Sequence, residues 1–233
     1  MDAIVLAGGF GTRLQQLVKD IPKPMALINN RPFLEYLLNY LKLNKIQKII
    51  LSVGYKHEVI FDYFKTNFNN IELVYSIEDE PLGTGGGIKK ATELVQDDTF
   101  FVINGDTLFD IDLTNMLDYH NNNNCDITIA LKYFNDNSRY GSVKIDDKNK
   151  VTGFIEKNEK SCQSFINGGI YIINKIKFNT VNLPYKFSFE KDFLEKYYNV
   201  LNIQGLSFNN YFLDIGIPQD YNIAQNDFKH LKY

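Results

Sequence analysis

Apolar residues fall along the chain in two rhythms. Through the first half, short continuous apolar runs alternate with stretches where apolar residues recur every three or four positions. The runs around Ile4-Val5-Leu6, Lys48 to Val53, Ile71 to Tyr75 and Phe100 to Ile103 read as strands buried on both faces of a parallel sheet. Between them, Leu34, Leu37, Leu38 and Leu41 follow Pro32 at the i, i+3, i+4, i+7 spacing of one helix face. Val59, Ile60, Tyr63 and Phe64 mark a second helix. A third, after Gly87, is expected to bury Ile88, Ala91, Leu94 and Val95. Strand alternating with helix predicts a doubly wound, mostly parallel α/β sheet.

Beyond about residue 125 the period shortens to two. Ile127, Ile129 and Leu131 alternate with polar neighbours, Asp146 to Asn149 reads as a hairpin turn, and Ile166 to Ile173 forms another strand. The second half is therefore richer in strands, of mixed sense. A last helix is expected near Pro218, with Tyr221, Ala224, Phe228 and Leu231 toward the core. No internal repeat interrupts this order, and Asn121 to Asn124 reads as a solvated, compositionally biased turn.

Composition narrows the function classes. The 233 residues suit one domain large enough to bury most of its apolar surface. With 25 basic against 28 acidic residues and a net charge of −3, a nucleic-acid polymer is an unsuitable partner. Cys125 and Cys162 lack metal-type spacing and read as free thiols of a reducing cytosol. The chain begins at once with strand residues and has no apolar run near about 18 residues, so neither a secretory signal nor a membrane span is expected. His57, His120 and His230 read as surface or partly packed imidazoles rather than catalytic groups.

The candidate chemistry lies where the first strand ends. Gly8, Gly9 and Gly11 allow the backbone to come close to a ligand and turn several amides toward one anion. Arg13 adds a forked donor suited to phosphate, and Lys23 stands between Pro22 and Pro24, which restrict the backbone around it. A dinucleotide fingerprint fails because Leu14 stands at the third glycine position and no acidic residue follows about twenty positions later. A P-loop fails because Thr12 and Arg13 follow Gly11. Ligands of doubly wound sheets bind beyond the carboxyl ends of the strands, so Gly105 and Asp106, after the fourth strand, are expected in the same crevice.

These residues carry a resemblance. LAGGFGTRL followed by PKPMA resembles the G-x-G-T-R-L, spacer, P-K-P motif of the sugar-1-phosphate nucleotidyltransferases. The segment RLQQLVKDIPKPMALINNRPFLEYLL is most similar to the short heptose-1-phosphate guanylyltransferases, since the commoner hexose branches carry Pro-Leu-Thr where this chain has Gln16-Leu17-Val18. The resemblance implies a Rossmann-like mixed sheet of the nucleotidyltransferase type, without the C-terminal β-helix of longer members. It implies one domain over 1–233, with a nucleotide-binding half at about 1–124 and a sugar-phosphate-binding half at about 125–233.

The resemblance also implies roles. Arg13 and Lys23 would be catalytic cations. Leu6, Ala7, Gly8, Gly9, Gly11, Thr12, Glu78, Gly83, Thr84 and Gly105 would join them around the nucleotide. The segment Glu80 to Gly87 resembles the family's L-G-T-x-G, which lies against the nucleobase, and also reads as a glycine-rich helix entry. Glu156 and Lys157 match F-x-E-K, although Asn158 replaces the usual proline. Together with Tyr140, Gly141, Asn167, Gly168 and Gly169 they would take the sugar phosphate. Asp106 and Asp214 would hold magnesium, a hard cation that usually takes one or two carboxylates and fills its shell with phosphate and water.

The expected reaction joins a nucleoside triphosphate, GTP, to D-glycero-D-manno-heptose 1-phosphate, releasing pyrophosphate, for surface polysaccharide synthesis. Another base or sugar is the nearest alternative, as in a mannose-1-phosphate guanylyltransferase or a cytidylyl-, uridylyl- or thymidylyltransferase. A non-catalytic nucleotide-sensing subunit is the alternative from another class. The expected partners are the two substrates, with no nucleic acid or membrane, and a homodimer stays open.

Overall fold

In a computed structural model, which describes residues 1–9, 21–135, 140–155, 163–231 and 233, a ten-stranded mixed sheet runs through the molecule. Its parallel part contains β1 (Asp2–Leu6), β2 (Lys48–Val53), β3 (Ile71–Ile77) and β4 (Thr99–Asn104). The spatial order is β4, β1, β2, β3, with Ile4 facing both Val102 and Ile50, and Ile50 facing Val74. The two-residue strand Asn67–Phe68 closes that edge.

Continuous apolar sequence gives central strands here because both faces are covered. Ala3, Val5, Ile49, Leu51, Phe101 and Ile103 face one core. This core is filled by α1 (Phe33–Leu43) and α2 (His57–Phe64), and by two further helices, Leu113–Asn122 and Pro218–Asp227. Ile4, Ile50, Phe100 and Val102 face a second core, closed by α3 (Gly83–Ala91) and the chain from Phe178 to Leu201. Leu34, Leu37, Leu38 and Leu41 of α1 are all buried, as their spacing predicts. Ala224 of the last helix and Phe228, which caps it, are likewise buried.

Some expectations fail in detail. The third helix begins at Gly83, not after Gly87, and ends before a short 3₁₀ turn, Thr92–Leu94. That tighter turn rotates Leu94 out to 37% exposure while Ile88, Ala91 and Val95 stay buried. Tyr63 is half exposed and donates its hydroxyl to Glu35 at 2.7 Å instead of packing inward.

The strand-rich half attaches through β5 (Ser164–Asn174), which runs antiparallel to β4 over Ile170 to Asn174. Its other edge pairs with Ile127–Phe134, beyond which Ile203–Phe208 lies parallel. At Phe165 and Ile166 the edge that faces β4 further along pairs instead with Ser142–Ile145, which carries Val151–Ile155 as its hairpin partner. β5 thus changes partner around Asn167 to Gly169, where its register against Ile127–Phe134 also slips. The turn of that hairpin falls at Asp146 to Asn149, with Asn149 N–H donating to the Asp146 carbonyl at 2.9 Å. The described residues contain no β-helix.

His120, on the helix Leu113–Asn122, is packed against this half and is not a surface residue. It is 3% exposed, and its Nδ1 lies 2.8 Å from Thr128 Oγ1. Burial holds its pKa down at about 4, outweighing the upward pull of Asp126. Below about pH 6.5 the unfolded chain takes up a proton that the folded one refuses, so stability falls as pH drops from there toward 4. Between pH 7 and 4.5 urea unfolding of the wild type should lose roughly 2 kcal/mol more than that of His120→Asn. Equal losses in the two proteins would show that His120 does not carry the effect.

Candidate functional site

A cleft of about 490 Å³ opens at the carboxyl ends of the parallel strands. Its floor is the end of β1, whose pairing runs past the last strand residue on both sides. Ala7 N–H donates to the Ser52 carbonyl at 2.8 Å, and Gly105 N–H to the Leu6 carbonyl at 2.9 Å. A side chain at Gly105 would put its Cβ 2.5 Å from that Leu6 oxygen, so only glycine allows the fourth strand's turn to close on the first. Leu6, Ala7, Gly8 and Gly9 line the cleft from this floor.

One wall carries the charges. Lys23 sits in a single 3₁₀ turn, Lys23–Met25, held by Met25 N–H donating to the Pro22 carbonyl at 2.8 Å. Its Nζ donates to Asp106 Oδ2 at 2.6 Å and lies 3.5 Å from Asp214 Oδ1. Asp106 and Asp214 meet because Phe212–Asp214 pairs antiparallel with Thr107–Phe109, opposing Asp214 to Thr107. Ile215 N–H then donates to the Asp106 carbonyl at 3.0 Å. Burial pushes the Asp214 carboxyl above the usual carboxylate range and Asp106 adds to this. Lys23 and the Gly216 N–H, 2.6 Å from Oδ1, pull it back.

The opposite wall is braced by Glu78. Its Oε1 accepts from Ser52 Oγ at 3.1 Å and its Oε2 from Leu82 N–H at 3.0 Å. Gly83, with φ of +74°, and Thr84 begin α3 at the rim of the cleft. The glycine run behind them serves packing, since Cβ atoms at Gly85 and Gly86 would strike Phe187 and Tyr185. The segment is therefore both a cleft wall and a tight helix entry.

A second cleft of about 450 Å³ is lined by Tyr140, Gly141 and Asn167, with Ser142, Val143, Phe154, Ile155, Glu190, Lys191 and Glu195. The two clefts are joined by a hydrogen bond, as Thr84 Oγ1 of the first donates to Glu190 Oε2 of the second at 2.7 Å. Gly168 and Gly169 line neither cleft. They are buried at the partner change of β5, where Gly169 backs onto Asn104 and Gly168 onto Phe109. Gly11, Thr12, Arg13, Glu156 and Lys157 lie outside the described residues, as does Cys162.

Sequence reasoning passed over several lining residues. Asn104 ends a parallel strand and Ser52 stands one residue before the end of another, so the carboxyl-end rule applied to every strand would have found them. Glu190, Lys191 and Glu195 left no comparable signal. Their short helical segment has no long apolar period, and Phe189–Leu194 forms a π-helix.

The two carboxylates suit a small hard cation. Both are oxygen donors side by side, Lys23 is the cation paired with both among the described residues, and each is partly open to the cleft. Among the described residues no group of three acidic, histidine or cysteine side chains closes a metal shell. The remaining positions would fall to water and phosphate, as magnesium prefers.

Residues 2–230 match the family model described as Nucleotidyl transferase. The chain is 50% identical over 221 residues to the D-glycero-alpha-D-manno-heptose 1-phosphate guanylyltransferase of Campylobacter jejuni, covering 95% of this chain and 97% of that one. It is 48% identical to the protein of the same name from Aneurinibacillus thermoaerophilus, over 99% of each. Its fold is similar to the crystal structure of HddC from Yersinia pseudotuberculosis, with a TM-score of 0.88 and 40% identity over 97% of this chain and 99% of that one. That protein has also been crystallised with GMP-PN.

Removing one of two crowded carboxylates relieves repulsion while removing a candidate cation ligand. The melting temperature of Asp214→Asn without divalent metal should equal or exceed that of the wild type. The rise produced by magnesium with a nucleoside triphosphate should disappear. A variant that kept the full rise would show that Asp214 holds no metal.

Proposed function

Since the chain belongs to the nucleotidyl transferase family, we propose that it joins GTP to D-glycero-α-D-manno-heptose 1-phosphate, releasing pyrophosphate. The observation that carries nucleotidyl transfer is the convergence of Lys23, Asp106, Asp214 and the Leu6-to-Gly9 backbone on one cleft. The choice of base and sugar is supported by near-full-length likeness to the heptose guanylyltransferases.

An oxygen of the sugar phosphate attacks the α-phosphorus of the triphosphate. The bond from that phosphorus to the oxygen bridging toward the β-phosphorus breaks, and pyrophosphate leaves with the electron pair. A phosphate monoester has a second pKa near ~6, so the nucleophile is already largely dianionic at neutral pH and no protein base is needed. The obstacle is repulsion between two anions, which is met by positioning and fixed charge. Lys23, tethered between the carboxylates, presents its ammonium at the wall where the phosphates would lie. Asp106 and Asp214 are the residues that would hold magnesium, which when bound neutralises phosphate oxygens as a Lewis acid. Arg13 serves the triphosphate and Lys157 the sugar phosphate in this reading. Tyr140, Gly141 and Asn167 wall the acceptor.

Glu78 supports guanine. Guanine presents two adjacent donors, N1–H and N2–H, on one edge, whereas adenine, cytosine and uracil do not. A carboxylate has acceptor capacity beyond the two bonds that fix Glu78 to Ser52 and Leu82. In the same pose adenine and cytosine would turn acceptors or a C–H toward it and uracil a single donor beside an acceptor, a mismatch that discriminates strongly. The enzyme would act in the cytoplasm and supply an activated heptose for surface polysaccharide. Among the described residues no helix is long and apolar enough to cross a membrane.

With the heptose 1-phosphate saturating, kcat/KM should be highest for GTP among GTP, ATP, CTP and UTP. Equal or better use of CTP or UTP would remove guanine and leave nucleotidyl transfer standing. Asp106→Asn should lower turnover by roughly 10²-fold or more, the usual scale for losing a positioned charge-stabilising group. Wild-type rates in this variant at limiting magnesium would overturn its assignment.

A further inference from the structure

Resting on the heptose reading above, we propose that Glu195 selects the seven-carbon sugar by accepting hydrogen bonds from the hydroxyls on C6 and C7 of its side chain. The second cleft shares the Thr84–Glu190 pair with the first, so an acceptor reaching the first with its phosphate extends its far end along the second. Glu190, at the shared wall, is already engaged. Its carboxylate accepts from Thr84 and Ser188, at 2.7 and 3.0 Å, and faces the Tyr171 hydroxyl at 3.5 Å.

Glu195 follows five residues later, immediately after the π-helix Phe189–Leu194, whose i to i+5 repeat returns both carboxylates to the same wall. The buried side chains of Phe189, Phe193 and Leu194 anchor that wall in the second core. Glu195 is half-buried, and among the described residues its carboxylate has no hydrogen-bond or ion-pair partner. A carboxylate partly withdrawn from water gains from an incoming donor. The cleft is also lined by Phe154 and Ile155, apolar side chains that suit the carbon face of a sugar ring.

The chemistry of the two candidate sugars differs at this far end. A hexose such as mannose carries a single exocyclic hydroxyl, on C6. The heptose extends the chain by one carbon and presents a vicinal diol, two donors that the two oxygens of one carboxylate can accept together. A site built to hydrogen-bond a hydroxyl discriminates strongly against the analogue that lacks it. An apolar residue at position 195 would lose that reward for the extra carbon.

The test compares wild type, Glu195→Gln and Glu195→Ala with D-glycero-α-D-manno-heptose 1-phosphate and α-D-mannose 1-phosphate, at saturating GTP, by pyrophosphate release. Wild type should favour the heptose. Glu195→Ala should lower that preference by roughly 10-fold or more, the scale of hydrogen bonds to a charged acceptor, chiefly through the KM of the heptose. Glu195→Gln should fall between, and the KM for GTP should not move. A preference unchanged in both variants, or an equal loss with both sugars, overturns the proposal while leaving the heptose reading intact. A wild type that uses neither sugar, or prefers mannose, overturns that reading and the proposal with it.

Discussion

The site depends on placing two carboxylates beside each other at the edge of a folded core. Two anions in a half-buried cleft repel and are poorly solvated, so a cation must stand with them. Lys23 does so, 2.6 Å from one and 3.5 Å from the other. Three separate parts of the chain are committed to this contact. They are the proline-flanked turn, the end of the fourth strand, and the short antiparallel pair that returns Asp214 from more than a hundred residues later. A bound magnesium ion with its phosphates would answer the same electrostatic demand, leaving Lys23 to the phosphates. The arrangement is therefore stable without substrate and also suited to receiving it.

The fold supplies a second constraint through β5. A strand that stays with one partner along an edge makes a continuous sheet. Here the edge passes from β4 to the Ser142–Ile145 hairpin around Asn167 to Gly169. The two clefts lie on either side of the Thr84–Glu190 contact, so the sheet sets two spaces beside each other, as a reaction between two anionic substrates would require. Gly168 and Gly169, which sequence reasoning gives to the sugar phosphate, are explained by this change of partner. A Cβ at either would collide with Phe109 or with Asn104.

The sequence by itself determined the parallel strands, the face of the first helix and the segments that build the first cleft. Those features are written in local periodicity or in backbone chemistry that few other residues can supply, as with Gly105 and the Pro22-Lys23-Pro24 turn. Only the tertiary structure decided that Lys23 stands between Asp106 and Asp214, since nothing local relates positions 23, 106 and 214. It also decided that His120 is packed against Thr128, that Leu94 turns outward, and that Glu190 and Glu195 share a cleft wall. These outcomes depend on long-range pairing and on a π-helical turn, and the periods of about 3.6 and two residues that mark ordinary helices and strands carry no trace of either.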